Sequence, residues 1–273
     1  MVISSMSNSA ILKKIINLDL KKNFYNYGID KLINQKTYKI PQLSKPGDTS
    51  LRAGGEAFEP ECPDLTRLYS IIRMRKILTV LEFGSGYSTK IIGEALKKNN
   101  QDYSKKISLI RRKNPFHLYS LESEKKYANK VIKSCKEAGL KNYVTVKLVQ
   151  AEQTSFNNLI CGKYKKIPSV CPDLIYIDGP MPMSYHNSKK QYLDMNNSDI
   201  TNITCDLLLI EPILLPGTIV IIDGMTNNSR FNRRNLQRKW LSHEDLKNDY
   251  TILILDEPPL GVHHKNQLSF QNE

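Results

Sequence analysis

Residues 79–89 read Thr79-Val80-Leu81-Glu82-Phe83-Gly84-Ser85-Gly86-Tyr87-Ser88-Thr89. A β-branched and apolar run enters an acidic residue, then Gly-x-Gly, then residues that suit a helix start. The glycines let the backbone turn tightly and lie against a ligand beyond the carboxyl end of a strand. A dinucleotide fingerprint would want a third Gly or Ala at Thr89 and has no use for the acid at Glu82. A carboxylate two residues before the first glycine suits a ligand carrying an ammonium group better than a pyrophosphate.

Outward from this stretch, short apolar runs recur at Leu78–Phe83, His117–Leu121, Val144–Val149, Leu174–Ile177, Thr218–Ile222 and Thr251–Leu255. Helical stretches lie between the first five: Thr89–Lys98, Glu124–Ala138 and a segment ending at Leu215. Strand, helix, strand in repetition predicts parallel strands joined by right-handed crossovers, an α/β doubly wound sheet. Thr251–Leu255 is followed by Glu257-Pro258-Pro259-Leu260-Gly261 and a run ending near Phe270, with no room for a crossover helix. The last two strands are therefore expected to pair as an antiparallel hairpin at one edge.

A second acid should end strand two, where ribose hydroxyls would bond to it, usually about 20 residues on. Glu122 stands 40 residues after Glu82, and setting aside the basic stretch 97–113 leaves 23. Strand three then ends at Val149-Gln150-Ala151-Glu152, where Ala151 and Glu152 would flank an adenine. Glu82, Gly84, Ser85, Gly86, Tyr87, Ser88, Thr89, Glu122, Ala151 and Glu152 thus form one candidate cofactor set, and S-adenosylmethionine is one such ammonium-bearing ligand.

In this order the motifs resemble those of class I S-adenosylmethionine-dependent methyltransferases, over about Pro63 to Phe270. VLEFGSGYST is similar to that family's first motif, and the terminal hairpin to its reversed last strand. Asp173-Leu174-Ile175-Tyr176-Ile177-Asp178-Gly179-Pro180 and Leu215–Gly224 resemble uncharacterised bacterial members and small-molecule O-methyltransferases. The resemblance implies a seven-stranded, mostly parallel sheet with a final antiparallel strand. It also implies that Asp178 and Asp223 sit at strand ends facing one crevice, Asp178 beside the cofactor. In metal-dependent relatives such aspartates hold a divalent cation like Mg2+, which lowers the acceptor's pKa. The third ligand expected after the second aspartate is Gly224 here, and Asn227 or Asn228 would have to substitute at the wrong spacing. The favoured reading leaves the metal out: Asp178 lines the cofactor pocket and Asp223 caps a turn. His186, in the loop after the fourth strand of the series, stands where a general base is often placed, so Asp178, His186 and Asp223 are the catalytic candidates. His263 and His264 read as loop residues. Cys171-Pro172 precedes its strand and reads as a packed or exposed thiol. The Asp/Asn-Pro-Pro-aromatic tetrapeptide of amino-methylating nucleic-acid enzymes is missing after that fourth strand.

The chain has 273 residues, 40 Lys plus Arg against 27 Asp plus Glu, and a formal charge of +13. Residues 1–45 and 97–113 each carry net +6, so the rest is near neutral. With 40% apolar and 8% aromatic residues the chain can bury a sizeable core. Residues 1–60 read as a basic, partly helical lead-in, packed on the main domain in preference to a membrane surface, and residues 61–273 as a Rossmann-like domain with a basic insertion at about 97–113. Leu207–Ile222 is broken by Glu211, Pro212, Pro216 and Gly217, so no transmembrane segment is expected. Met1–Ala10 is too polar for a signal peptide. The five cysteines (62, 135, 161, 171, 205) contain no C-x-x-C pair, which disfavours a disulfide scaffold or zinc ribbon and suits a reduced, cytoplasmic protein. The reading that results is a methyltransferase for a small-molecule or saccharide acceptor, at oxygen. Its alternatives are an RNA methyltransferase gripping through 1–45 and 97–113, and a non-catalytic cofactor-binding protein.

Overall fold

The computed structural model describes residues 6–40, 60–180, 192–193 and 201–272. Its elements, in chain order, are α1 (Asn8–Ile16), α2 (Leu20–Asn26), α3 (Ile29–Leu32), α4 (Cys62–Met74), β1 (Thr79–Phe83), α5 (Tyr87–Tyr103), β2 (His117–Glu122), α6 (Lys125–Glu137), β3 (Val144–Leu148), β4 (Ala151–Phe156), β5 (Leu159–Tyr164), β6 (Leu174–Ile177), α7 (Asp206–Ile210), β7 (Ile219–Asp223), α8 (Thr226–Asn235), β8 (Trp240–Asp245), β9 (Tyr250–Leu255) and α9 (Val262–Asn272). Seven strands form one sheet in the order β3-β2-β1-β6-β7-β9-β8. β3, β2, β1, β6 and β7 are parallel, and β9 runs antiparallel to both β7 and β8. This is a doubly wound, mostly parallel α/β sheet, with its one reversed strand, β9, set inside the edge.

Every residue of β1, β6 and β9 is buried, as expected of strands covered on both faces. Side-chain alternation sorts them into two cores. Val80, Leu174, Tyr176, Ile219, Ile221, Ile252 and Ile254 pack under α4 and α5, while Leu81, Phe83, Ile175, Ile177, Val220 and Ile222 pack on the other face with Leu207 and Ile210 of α7. The N-terminal helices join the first core through Ile11, Ile15, Phe24 and Ile29, all buried. Asn8 Nδ2 donates to Asp256 Oδ1 at 3.2 Å, which holds α1 beside β9. No helix among the described residues is long and apolar enough to cross a membrane.

The edge hairpin lies one element earlier than expected. Thr251–Leu255 belongs to its second arm, β9, and β8 is the first. The Asp245 carboxylate accepts the Lys247 and Asn248 N–H groups at 3.0 Å, shaping the turn between them. The run toward Phe270 is helix α9, whose buried residues His264, Gln267, Phe270 and Gln271 follow a helical spacing. Lys76 Nζ donates to the Phe270 carbonyl at 3.0 Å and Arg75 to that of Gln271 at 3.2 Å, so two cations serve its carboxyl end. His264 is therefore a buried helical residue: Nδ1 accepts the Leu260 N–H at 3.0 Å and Nε2 donates to the Pro216 carbonyl at 3.0 Å.

The helix after β1 also outruns its expected end at Lys98, taking in Lys97 to Tyr103 of the basic stretch. Asn99, fully buried, donates to the Ile72 and Ile77 carbonyls, and Tyr103 meets Phe270 edge to face. β4 and β5 form an additional hairpin that the strand-helix alternation did not contain.

A polar knot fixes the amino-terminal end of the sheet. Asp173 Oδ2 accepts the Leu78 and Thr79 N–H groups at 3.0 Å, and Oδ1 accepts from Gln267 Nε2 at 2.6 Å and from Arg112. Asp173→Ala would leave the half-buried Arg112 guanidinium without its carboxylate and strand two N–H groups. Its expected cost is about 3–5 kcal/mol, read as a lower urea midpoint; a loss under about 1 kcal/mol would mean water replaces these bonds.

Candidate active site

The order of the sheet reverses between β1 and β6, since the chain moves outward to β2 and β3 on one side and to β7 on the other. Open α/β sheets bind ligands at the carboxyl ends of the strands flanking such a point. Gly84 follows β1 with φ +91°, and a Cβ there would lie 2.8 Å from the Asp178 carbonyl oxygen. A Cβ on Gly179, after β6, would lie 2.8 Å from Gly84 Cα. The two loops thus pass in backbone contact at the switch point.

Glu82 fixes the turn that follows. It is fully buried, and its two oxygens accept the Ser88 and Thr89 hydroxyls, each at 2.7 Å. Thr89 Oγ1 in turn accepts the Gly86 N–H at 3.0 Å. Burial pushes Glu82 up to about 7, against the pull of the hydroxyls around it. Both oxygens expected to meet a ligand's ammonium are thus engaged with the first turn of α5. Gly86 differs from Gly84: the atom nearest to a Cβ built there is Ser88 Oγ, at 4.0 Å, so its outer face is open. Ser85 donates to Glu122 Oε2 through both N–H (3.0 Å) and Oγ (2.7 Å), and the Ser123 and Glu124 N–H groups bond Oε1 at 2.8 and 2.9 Å. Tyr87 is exposed at the head of α5.

Alternation places Tyr176 and Asp223 on the face of the sheet that carries Glu82, and α4 crosses that face. Asp64, in the first turn of α4, pairs with buried Arg67, whose guanidinium lies 3.6 Å from the Tyr250 ring centroid. The Tyr176 hydroxyl donates to Asp223 Oδ2. Desolvation and the Asp64 charge raise Asp223 to about 7, although the Tyr176 bond and Arg67 pull the other way. Asp178, just past the end of β6, is exposed to solvent at its surface while protein packs closely around its carboxyl. That desolvation, with Asp223, Glu82, Asp64 and Glu61 nearby, raises its carboxyl well above the usual range. Glu61, at the rim, is pushed up to about 8 by desolvation, by its hydrogen bond with Asp64 and by the surrounding acids. A carboxylate poised near neutrality is suited to accept a proton from a hydroxyl.

Asp178 and Asp223 follow or close the adjacent strands β6 and β7, near enough that the Asp223 charge acts on Asp178, and Asp178 lies against Gly84. β3 stops at Leu148, so Ala151 and Glu152 open β4 and do not end strand three; Ala151 is buried and Glu152 pairs with Lys163 at 3.5 Å. The Val149 N–H, bonded to the Glu122 carbonyl at 2.7 Å, keeps that hairpin beside the end of β2. His186 lies outside the described residues. Among the described residues no group of three His, Cys, Asp or Glu side chains is arranged to hold a metal ion. Asn228, fully buried, bonds Thr204, and Asn227 donates to Thr201 Oγ1 at 2.9 Å, so both have partners other than a cation. Cys171 donates to the Ile213 carbonyl at 3.0 Å, at the opposite end of β6.

Sequence reasoning missed Tyr176, Glu61, Asp64, Arg67 and Tyr250. Tyr176 could have been found by parity, two residues before Asp178 on the same strand face. Cys62-Pro63-Asp64 ahead of Leu65, Leu68, Ile71 and Ile72 carries a helix-start signal. Nothing local marks Tyr250.

No family model matches the chain, and no curated protein sequence matches it. Among solved structures it is similar to an O-methyltransferase of tomaymycin synthesis from Streptomyces achromogenes in complex with S-adenosylmethionine (12% identity, 93% of each chain covered, TM-score 0.43). It is also similar to an O-methyltransferase from Bacillus cereus in complex with S-adenosylhomocysteine (13% identity, 84% of this chain and 97% of that one, TM-score 0.46). A third is a methyltransferase from Podospora anserina bound to S-adenosylhomocysteine (13% identity, 85% and 96%, TM-score 0.45).

Proposed function

We propose that the protein is an S-adenosylmethionine-dependent methyltransferase acting on a hydroxyl of a small-molecule or saccharide acceptor. The observation that carries this reading is the backbone contact of Gly84 with Gly179 at the switch point, flanked by Glu122 on one side and by Asp178 and Asp223 on the other. The open face of Gly86 fits a cofactor lying over the turn. Glu122 would hold the ribose hydroxyls, exchanging its Ser85 hydroxyl bond for them, and Ala151 would flank the adenine. Bound there, the sulfonium supplies an activated methyl group with a good leaving group. The chain's own task is then alignment and proton removal. Glu82 positions the turn through Ser88 and Thr89, and Asp223, tuned by Tyr176 and Arg67, takes the acceptor's proton. Asp178 lines the floor between cofactor and acceptor.

Isothermal titration with S-adenosylhomocysteine tests the cofactor half, with binding expected in about the micromolar range. Gly86→Asp fills the open face with a side chain and should weaken it by about a hundredfold. No heat at millimolar ligand, or equal affinity in the variant, would sink the reading. Incubation with methyl-labelled cofactor and fractionated extract tests the acceptor. Label is expected in small molecules as base-stable methyl ethers; base-labile label would point to a carboxyl acceptor instead, and label confined to RNA would overturn the small-molecule half alone.

A further inference from the structure

The near-neutral charge outside the two basic segments conceals a third concentration. Residues 230–239 hold Arg230, Arg233, Arg234, Arg238 and Lys239 with no acid among them. In the fold α8 packs over β7 and β9 but leaves the same face of the edge strand β8 uncovered, and a groove of about 470 Å³ forms between them. Trp240, Ser242 and Glu244, alternate residues of β8, line one wall; Arg230, Arg233 and Arg234 reach it from α8, and Arg238 joins them from the segment just before β8.

The chemistry of this lining is selective. Ten of the chain's 40 basic residues are arginine, and four of those ten face this single groove. A merely solvated face would carry the lysine that dominates elsewhere. Arginine differs by its planar fork of donors, which matches the oxygens of a phosphate two at a time. One carboxylate, Glu244, serves two of the arginines, Arg230 Nε at 3.1 Å and Arg233 Nη1 at 3.0 Å. Arg238 is matched by Glu257 and also donates to the Glu211 and Leu214 carbonyls. The Arg234 guanidinium has neither an ion pair nor a hydrogen bond among the described residues, so positive charge remains in excess. Trp240 is held in place by its Nε1–H bond to Glu211 at 2.8 Å and offers a flat apolar wall. The volume lies in the range of small-ligand sites, of about 300–1,000 Å³.

We infer that this groove, separate from the strand-end crevice, binds the phosphate group of a small organic phosphate, with Arg234 and Arg233 on the oxygens and the body of the ligand against Trp240. It does not depend on the methyltransferase reading.

Trp240 is the only tryptophan of the chain, so its emission reports on the groove directly. The full-length protein is titrated with inorganic pyrophosphate, glucose 6-phosphate and a short single-stranded RNA, with calorimetry in parallel. A saturable response is expected for the sugar phosphate, weakened at least about tenfold in Arg234→Gln and unchanged in Arg111→Gln and in Gly86→Asp. Tighter binding of the sugar phosphate than of pyrophosphate supports an organic phosphate, and the reverse order replaces it with a free inorganic one. No saturable signal or heat at millimolar ligand overturns the inference, as does equal affinity in Arg234→Gln. RNA binding that exceeds the sugar phosphate and weakens equally in Arg111→Gln would overturn it in favour of a diffuse polyanion surface.

Discussion

Gly84→Ala is expected to be among the most damaging single-methyl changes in this protein, at about 2–5 kcal/mol of stability, because two costs coincide there. A side chain at φ +91° pays left-handed strain of about 1–2 kcal/mol. Its Cβ would also stand 2.8 Å from the Asp178 carbonyl, and overpacking against backbone that cannot rotate away adds about 1–3 kcal/mol. Gly179→Ala incurs only the second cost, against Gly84 Cα at 2.8 Å, and Gly224→Ala only the first, since φ is +61° and nothing lies within 4 Å. Urea denaturation should therefore rank Gly84→Ala below both controls. Cofactor affinity should fall in Gly84→Ala and Gly179→Ala, which push the two loops apart, and hold in Gly224→Ala. If Gly84→Ala is no worse than Gly224→Ala, the loops after β1 and β6 are not in backbone contact, and the support for the proposed site goes with that contact.

The parts of this site that were legible are those whose signal is local. A buried strand running into Glu-x-Gly-x-Gly states its own position, and so do Asp178 and Asp223, each closing a β-branched run. The β4–β5 hairpin was legible in principle: Asn157 and Asn158 take φ +49° and +62°, the left-handed pair that a two-residue hairpin turn requires and that Asn tolerates. The edge hairpin was misplaced because residues 240–245, Trp-Leu-Ser-His-Glu-Asp, are too polar to announce a strand, and they can be so because an edge strand keeps one side wet. The final run is the reverse case, a helix whose sequence imitates a strand. The helical spacing of α9 rests on His264 and Gln267, polar residues buried only because Pro216 and Asp173 receive them. Glu61, Asp64, Arg67 and Tyr250 had to wait for the structure, since nearly two hundred residues separate α4 from the tyrosine on which its arginine stacks.

Asp223→Asn is expected to cut kcat by about 10²–10⁴, the range a positioned general base supplies, while leaving the affinity for S-adenosylhomocysteine within about twofold. With Asp223 raised to about 7, the wild-type rate should climb with pH through that value and then level off, and the variant should lose this limb. Tyr176→Phe removes a hydrogen bond that favours the ionised carboxylate, so its limb should move to higher pH with the base still present. Stability should shift in the opposite sense to activity. A carboxyl raised from 3.8 to about 7 on folding contributes stability that is present below its unfolded value and lost as pH rises through the folded one. Asn imitates the protonated form facing Asp64, Asp249 and Arg67, so the variant should lose less Tm than the wild type between about pH 5 and 8, at about 2–4 °C per kcal/mol for a chain of this size. A dead enzyme that is the more stable one at pH 8 would mark a group held in tension for its chemistry. Equal Tm losses in both proteins, together with an unchanged pH–rate limb, would remove Asp223 from the role of base.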